Sequence, residues 1–315
     1  MTRREFLGWL GKGLAALALM KASGGSAGWA AAPPGVPPAL PTRLLGRTSH
    51  EVTLLSLGGE GVMRSTGRMK EAIPVIRKAL EVGINYFDTA PAYQQSQDYL
   101  GEGLQGDRPR IFLASKTHDR SRGGSLRLLD DSLRRLKTDH LDLWQLHDLR
   151  EMEELDRIFA KGGAIQAMEE AKAQGKIRFM GITGHTAPDV LLEALRRRPF
   201  DTVLVSINPA DRVRLSFIEE FLPVAREKGM GVIAMKVMAH GLLLEDPVRF
   251  SPEEALGYAL SQPGVSTALI GCSSPREVEQ NAAAAAAYQA FSVDRLAELE
   301  ERVHPLASRY AYFKR

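Results

Sequence analysis

IFLASK (residues 111–116), SLRLLDDSLRRL (125–136) and LDLWQL (141–146) follow one another in the middle of the chain. The first and third are short, continuous apolar runs, as is typical of parallel strands that are buried on both faces. The second is amphipathic and begins with Ser, a residue favoured at helix starts. Strand and helix together have the size of one βα repeat, roughly 30 residues. The stretch therefore predicts two parallel strands joined by a helix.

The same alternation extends in both directions along the chain. Short apolar runs occupy residues 54–57, 85–89, 111–116, 141–146, 179–183, 202–207, 231–236 and 267–270. Amphipathic runs between them occupy residues 69–82, 125–136, 164–174, 188–197, 215–227, 252–261 and 275–287. Eight such units predict an α/β fold, a closed (β/α)₈ TIM barrel in a single domain. An open doubly wound sheet is the alternative, but the glycines at Gly58, Gly59 and Gly61 do not form its phosphate-binding turn.

Composition narrows the functional classes. The chain has 315 residues, with 41 Lys and Arg against 38 Asp and Glu, for a net charge of +3. This small charge argues against a nucleic-acid partner. One cysteine excludes an intramolecular disulfide and a cysteine-based zinc or iron–sulfur site.

The first thirty residues are predicted to be a secretory signal. Arg3 and Arg4 precede a short apolar run at 14–20 and a small-residue stretch that leads to GWAAA (28–32), a pattern that resembles a twin-arginine signal. Cleavage is expected after Ala30, and residues 31–42 are expected to be a Pro-rich linker before the barrel domain at 43–315. The expected partner is the twin-arginine export machinery, and the expected location is the bacterial periplasm. The apolar run is too short for a stable membrane span, and the alternative is a basic amphipathic N-terminus that stays attached.

Four polar residues follow three consecutive predicted strands: Asp88 and Tyr93, then Lys116, then His147. Active sites of this barrel type gather at the C-terminal ends of the strands. A tyrosine is a weak acid, but a neighbouring ammonium favours its phenolate. A carboxylate can hold the lysine, and a histidine can orient the reacting oxygen. The set suits protonation of a carbonyl oxygen as hydride reaches the carbon, and equally the reverse oxidation.

Over residues 43–281 the chain resembles the aldo-keto reductase family. The matching runs are LGRT (45–48), FDTAPAY (87–93), LG (100–101), ASKT (114–117), DLWQLH (142–147) and GKIRFMGI (175–182). The resemblance implies a catalytic tetrad of Asp88, Tyr93, Lys116 and His147. It also implies NADPH or NADH as cofactor, no metal, and a small-molecule carbonyl substrate.

The cofactor positions match the family less well. Thr183-Gly184 stand where Ser-Asn is usual, Leu204 where Gln is usual, and Met235 where an aromatic residue is usual. A carboxylate, Glu277, falls near the family's NADPH-selecting arginine, so NADPH is preferred over NADH only weakly. The resemblance assigns cofactor binding to these residues: Thr183, Gly184, Asn208, Met235, Lys236, Gly271, Ser273, Ser274, Gln280 and Asn281.

Two other functions stay open at this level. One is a zinc hydrolase, because four histidines follow predicted strands: His118, His147, His185 and His240. The tetrad explains His147 better. A catalytically weak, nucleotide-binding barrel that acts as a sensing or binding subunit is the second. The substrate is not predicted; its candidate contacts are Arg64, Gln94, Gln95, His118, Trp144 and residues 151–161.

Overall fold

Eight parallel strands close around the centre of the molecule, in a computed structural model that describes residues 39–314. They are β3 (Leu55–Gly58), β4 (Tyr86–Asp88), β5 (Phe112–Thr117), β6 (Leu141–Leu146), β7 (Ile177–Gly184), β8 (Thr202–Ser206), β9 (Gly231–Met235) and β10 (Val265–Ile270). Each pairs with the next, and β10 pairs with β3, which closes the barrel. The predicted (β/α)₈ TIM barrel is confirmed.

Helices cover the outside of the barrel. They are α1 (Met69–Glu81), α2 (Ser96–Gly103), α3 (Arg122–Leu136), α4 (Met152–Phe159), α5 (Ala164–Ala173), α6 (Pro188–Arg197), α7 (Leu222–Glu227), α8 (Pro252–Leu260), α9 (Pro275–Ala286), α10 (Val293–Val303) and α11 (Ala307–Tyr310). Serine side chains cap several of them; the Ser121 Oγ accepts from the Gly124 N–H at 3.1 Å at the start of α3. The helices α2, α4, α10 and α11 were not predicted.

One predicted helix, residues 215–227, is divided in the structure. Phe217–Phe221 forms a π-helical turn before α7, and the Leu222 N–H bonds to the Phe217 carbonyl five residues back. Pro223 follows directly and has no N–H to donate to the preceding turn. The missing donor explains why a regular α-helix does not run through this segment.

A short antiparallel hairpin covers the N-terminal end of the barrel. Its strands are β1 (Thr42–Leu44) and β2 (Glu51–Thr53). Leu45 and Val52 are fully buried against apolar side chains inside the barrel, including Tyr86 and Phe112. The hairpin begins one residue before the predicted domain boundary, inside the expected linker.

The predicted signal and most of the linker, residues 1–38, lie outside the described residues. Within residues 39–314, no helix is both long and apolar enough to cross a membrane.

A substitution at Gly46 tests how closely the hairpin packs against the start of β9. Its φ is +51°, and a Cβ there would lie 2.1 Å from the Gly231 N at the start of β9. We expect Gly46→Ala to lower the free energy of unfolding by more than about 3 kcal/mol, because strain and a backbone clash add. Gly67→Ala is the matched control, since its φ is also positive, +74°, but nothing lies within 4 Å.

The control should lower the free energy of unfolding by only about 1 kcal/mol, the cost of placing alanine in the left-handed region. Chemical unfolding of both variants measures the difference. Equal losses would mean that the hairpin can move away from β9 at little cost.

Candidate active site

Asp88 and Lys116 form an ion pair at the C-terminal end of the barrel. Both side chains are about 1% exposed. Asp88 ends β4 and lies beside Ala114 of β5, so Lys116, two residues further along β5, points to the same side. Lys116 Nζ also donates to the Thr89 carbonyl at 2.9 Å. The strand register therefore brings the predicted pair together.

The second oxygen of Asp88 is also occupied. It accepts from Gln145 Nε2 at 2.9 Å and lies 3.5 Å from the Tyr86 hydroxyl. Gln145 is on β6, directly beside Lys116 in the strand register. Sequence reasoning did not assign Gln145 a role. The available signal was a polar side chain in an apolar strand, two residues before His147.

Tyr93 completes the arrangement from the loop after β4. The Lys116 Nζ lies 4.9 Å from the centre of its ring, and the His147 ring meets it edge-on at 5.6 Å. The Arg64 guanidinium stands 5.3 Å from the same ring. All four predicted tetrad residues are therefore neighbours in the structure.

Two opposing effects act on the Tyr93 hydroxyl. Burial raises the pKa of Tyr93 above its ordinary value, and Lys116 only partly opposes this. Lys116 thus acts in the predicted direction, but burial is the larger effect. Burial alone would lower the pKa of Lys116, yet Asp88 and Tyr93 raise it. At neutral pH the site therefore holds a protonated tyrosine beside a charged lysine.

His147 follows β6, and its backbone N–H bonds to the Thr117 carbonyl at 2.8 Å. Burial, and then the positive charge of Lys116, lowers the pKa of His147 to about 2. Its imidazole is therefore neutral at any ordinary working pH. A neutral ring can donate one hydrogen bond to a substrate oxygen without adding a charge.

A cleft of about 480 Å³ extends from this centre. Asp88 and Tyr93 line it, as do six of the predicted cofactor residues: Met235, Lys236, Gly271, Ser273, Gln280 and Asn281. Its wall also includes residues without a predicted role in cofactor binding: Glu60, His185, Leu204, His240 and Leu269. The Nδ1 of His185 is buried and, among the described residues, has no hydrogen-bond partner. Burial lowers the pKa of His185 to about 4, although Asp148 opposes this.

Four predicted cofactor residues do not line the cleft. Thr183 Oγ1 accepts from the Asp148 N–H at 2.7 Å, and Gly184 ends β7. Asn208 Nδ2 donates to the Lys236 carbonyl at 3.0 Å. Ser274 caps α9 through its Oγ. These residues support the segments that form the cleft.

The far wall of the cleft is built by close backbone approach. A Cβ on Gly61 would lie 2.5 Å from the Cys272 carbonyl oxygen, and one on Gly271 would lie 2.8 Å from the Glu60 carbonyl carbon. Cys272 itself is buried, and burial raises the pKa of its thiol to about 12. The thiol is therefore protonated and inert, consistent with a packing residue.

The substrate candidates from sequence are dispersed. Trp144 is fully buried in the core outside the barrel, so its assignment as a substrate contact was wrong. Gln94 and Gln95 hold the loop after β3, accepting from Thr66 Oγ1 and the Gly67 N–H at 2.6 Å each. His118 lines a separate surface cleft with part of residues 151–161. Arg64 lies beside Tyr93, next to the tetrad.

The zinc alternative finds no cluster to support it. Among residues 39–314, no three His, Cys, Asp or Glu side chains come close enough together to hold a metal ion. The histidines that follow strands lie in different places: His118 lines the surface cleft, whereas His147 contacts Tyr93.

Comparison with known proteins decides the family. The Aldo/keto reductase family model matches residues 55–255. The chain belongs to this family. Membership makes it an NAD(P)H-dependent oxidoreductase, and the resemblance found in the sequence is confirmed.

Three proteins of known family illustrate what this chain is similar to. L-galactose dehydrogenase of Arabidopsis thaliana is 31% identical over 305 residues, which cover 84% of this chain and 94% of the relative. The holo form of an aldo-keto reductase of Bacillus halodurans superposes with a TM-score of 0.70 at 28% identity, covering 85% of this chain and 96% of that one. An aldo/keto reductase of Klebsiella pneumoniae, solved with NADP and acetate, has a TM-score of 0.66 at 25% identity and covers 81% and 93%.

The charge state of His147 can be tested directly. We expect its ring to stay neutral between about pH 5 and about pH 8, because burial and Lys116 oppose protonation. NMR of ¹⁵N-labelled histidine, assigned with a His147→Gln variant, measures this. A titration of the ring near its ordinary pKa of about 6.5 would contradict the site geometry.

Proposed function

We propose that the protein reduces aldehyde or ketone carbonyls to alcohols by hydride transfer, with Tyr93 as the general acid. The observation that carries the proposal is that Tyr93 lines a cleft and lies against a buried lysine–carboxylate pair. The proposed cofactor is NADPH, with NADH possible. When bound, it supplies the hydride; everything else must come from the chain.

Each tetrad residue has a separate task in this proposal. Tyr93 donates its proton to the substrate oxygen. Lys116 stabilises the phenolate that this leaves, because its charge lies against the ring. Asp88 holds Lys116 charged and fixed. His147, being neutral, orients the carbonyl by a hydrogen bond.

The cleft fits a dinucleotide in its chemistry. Leu204, Met235 and Leu269 offer an apolar surface for planar rings, and Lys236 offers a positive charge for phosphates. Ser273 lies just before α9 and Gln280 lies in its second turn, and a helix N-terminus favours anions. The Klebsiella relative solved with NADP supports the choice of cofactor. In this proposal Thr183, Gly184, Asn208 and Ser274 support the cleft, with Gly271 and Asn281 in its wall.

The similarity to L-galactose dehydrogenase favours a second candidate, oxidation of a sugar hydroxyl by the same residues in reverse. Here Tyr93 would act as a base, which needs its phenolate. Since burial raises the pKa of Tyr93, this direction is expected to gain strongly with alkaline pH. The rate of L-galactose oxidation with NADP⁺ or NAD⁺, compared with the rate of carbonyl reduction by the same protein, tests this candidate.

Tyr93→Phe is the central test. We expect the variant to keep NADPH binding, measured by fluorescence titration, and to lose carbonyl reduction by about 10²- to 10⁴-fold. Tyr288→Phe is the matched control, because its hydroxyl contacts the Leu260 carbonyl at 3.0 Å and lies outside the cleft.

Full activity of Tyr93→Phe would contradict its role as acid. NADPH binding by the wild type without turnover of any carbonyl compound would favour the alternative of a sensing or binding subunit. No dinucleotide binding at all would overturn the proposal.

We further propose export through the twin-arginine machinery to the periplasm. Support comes from Arg3 and Arg4 and the apolar run after them, which lie outside the described residues. In a bacterial host, replacing both arginines by lysine is expected to retain the protein in the cytoplasm, measured by fractionation. An equal periplasmic fraction for the variant would contradict twin-arginine export.

A further inference from the structure

The last described residues form a strap, residues 310–314, that is fastened at its end. The Lys314 ammonium is fully buried and paired with Asp211. It also donates to three carbonyls in the loop after β8, those of Asp211 at 2.8 Å, Arg214 at 3.1 Å and Leu215 at 3.0 Å. A buried lysine with this many partners holds its backbone in one place.

The strap lies against the loop after β9. The Phe313 ring centre is 5.1 Å from the Lys236 ammonium, and the Tyr312 ring is 6.2 Å from the His240 ring. Lys236 Nζ donates to His240 Nε2 at 2.6 Å. The ammonium is therefore held between an aromatic face and an imidazole nitrogen.

Lys236 needs such support. Its backbone φ is +53°, in the left-handed region that costs energy for a side chain other than glycine. A lysine side chain also loses considerable conformational entropy when it is ordered. Contacts that order it before a ligand arrives remove that cost from binding.

We propose that the strap presets the Lys236 ammonium for the phosphates of the dinucleotide, with Phe313 as the positioning residue. The inference rests on the proposed function, because it requires a dinucleotide in the cleft. Phe313 acts through Lys236 and does not itself line the cleft. In this proposal the positively charged Lys236 ammonium binds the negatively charged pyrophosphate of the dinucleotide.

Phe313→Leu tests the inference by removing the ring but keeping an apolar side chain. We expect the Kd for NADPH, from fluorescence titration, to rise about three- to tenfold. In a Lys236→Met background the same substitution should have no further effect, because its target is gone. Phe159→Leu is the matched control, since it removes a similar contact, 5.7 Å from Arg197, on α4.

Lys314→Met is the second variant, because it detaches the end of the strap without touching Phe313. It should weaken NADPH binding at least as much as Phe313→Leu. Melting temperatures of all variants show whether each is folded.

An unchanged Kd in Phe313→Leu would overturn the inference and leave the reductase assignment intact. An equal loss with and without Lys236 would also overturn it, because Phe313 would then act by another route. Failure of the wild-type protein to bind NADPH would overturn the proposed function and the strap's role together.

Discussion

The buried pair of Asp88 and Lys116 is the constraint on which the site depends. Removing two charges from water costs several kcal/mol for each ion, and that cost is offset only when the remaining hydrogen-bonding capacity is filled. Here it is filled by the Thr89 carbonyl, Gln145 and Tyr86. The pair is therefore tolerable only in one arrangement of β4, β5 and β6. A slip in strand register would separate the charges and leave both unsatisfied.

The same pair divides the barrel interior into two parts. Towards the N-terminal end the interior is apolar and is closed by Leu45 and Val52 of the hairpin. Towards the C-terminal end it is charged, with Tyr93 above Lys116. Burial of apolar side chains at one end stabilises the fold, whereas burial of charged groups at the other end destabilises it. A site of this kind needs a well-packed base beneath it.

Most of the barrel and the positions of the tetrad could be predicted because their signals are local. Buried parallel strands are continuous apolar runs, and Asp88, Lys116 and His147 each stand at the end of one. The hairpin at 42–53 could not be predicted in this way, because its three-residue strands carry Arg, Glu and Thr and owe their place to distant contacts. The balance at Tyr93 was missed for a related reason: the charge effect of a lysine is visible in a motif, but the burial that outweighs it depends on the whole fold. Gln145 and the strap contacts likewise arise from strand register and from long-range packing.

The two ends of the cleft are held in place by different kinds of contact. Beneath Tyr93, Asp88, Lys116 and Gln145 are fixed by regular strands, so replacing any of them would break a hydrogen bond in a dry interior. After β9 the backbone leaves regular structure: Lys236, Ala239 and His240 all have positive φ. Side chains there are supported from outside, by Asn208 through the Lys236 carbonyl and by Phe313 through its ammonium. Because such support comes from separate segments, one contact can be exchanged for another without disturbing the strands. The Asp88–Lys116 pair is thus tied to the barrel register, whereas the position of Lys236 depends on contacts from separate segments.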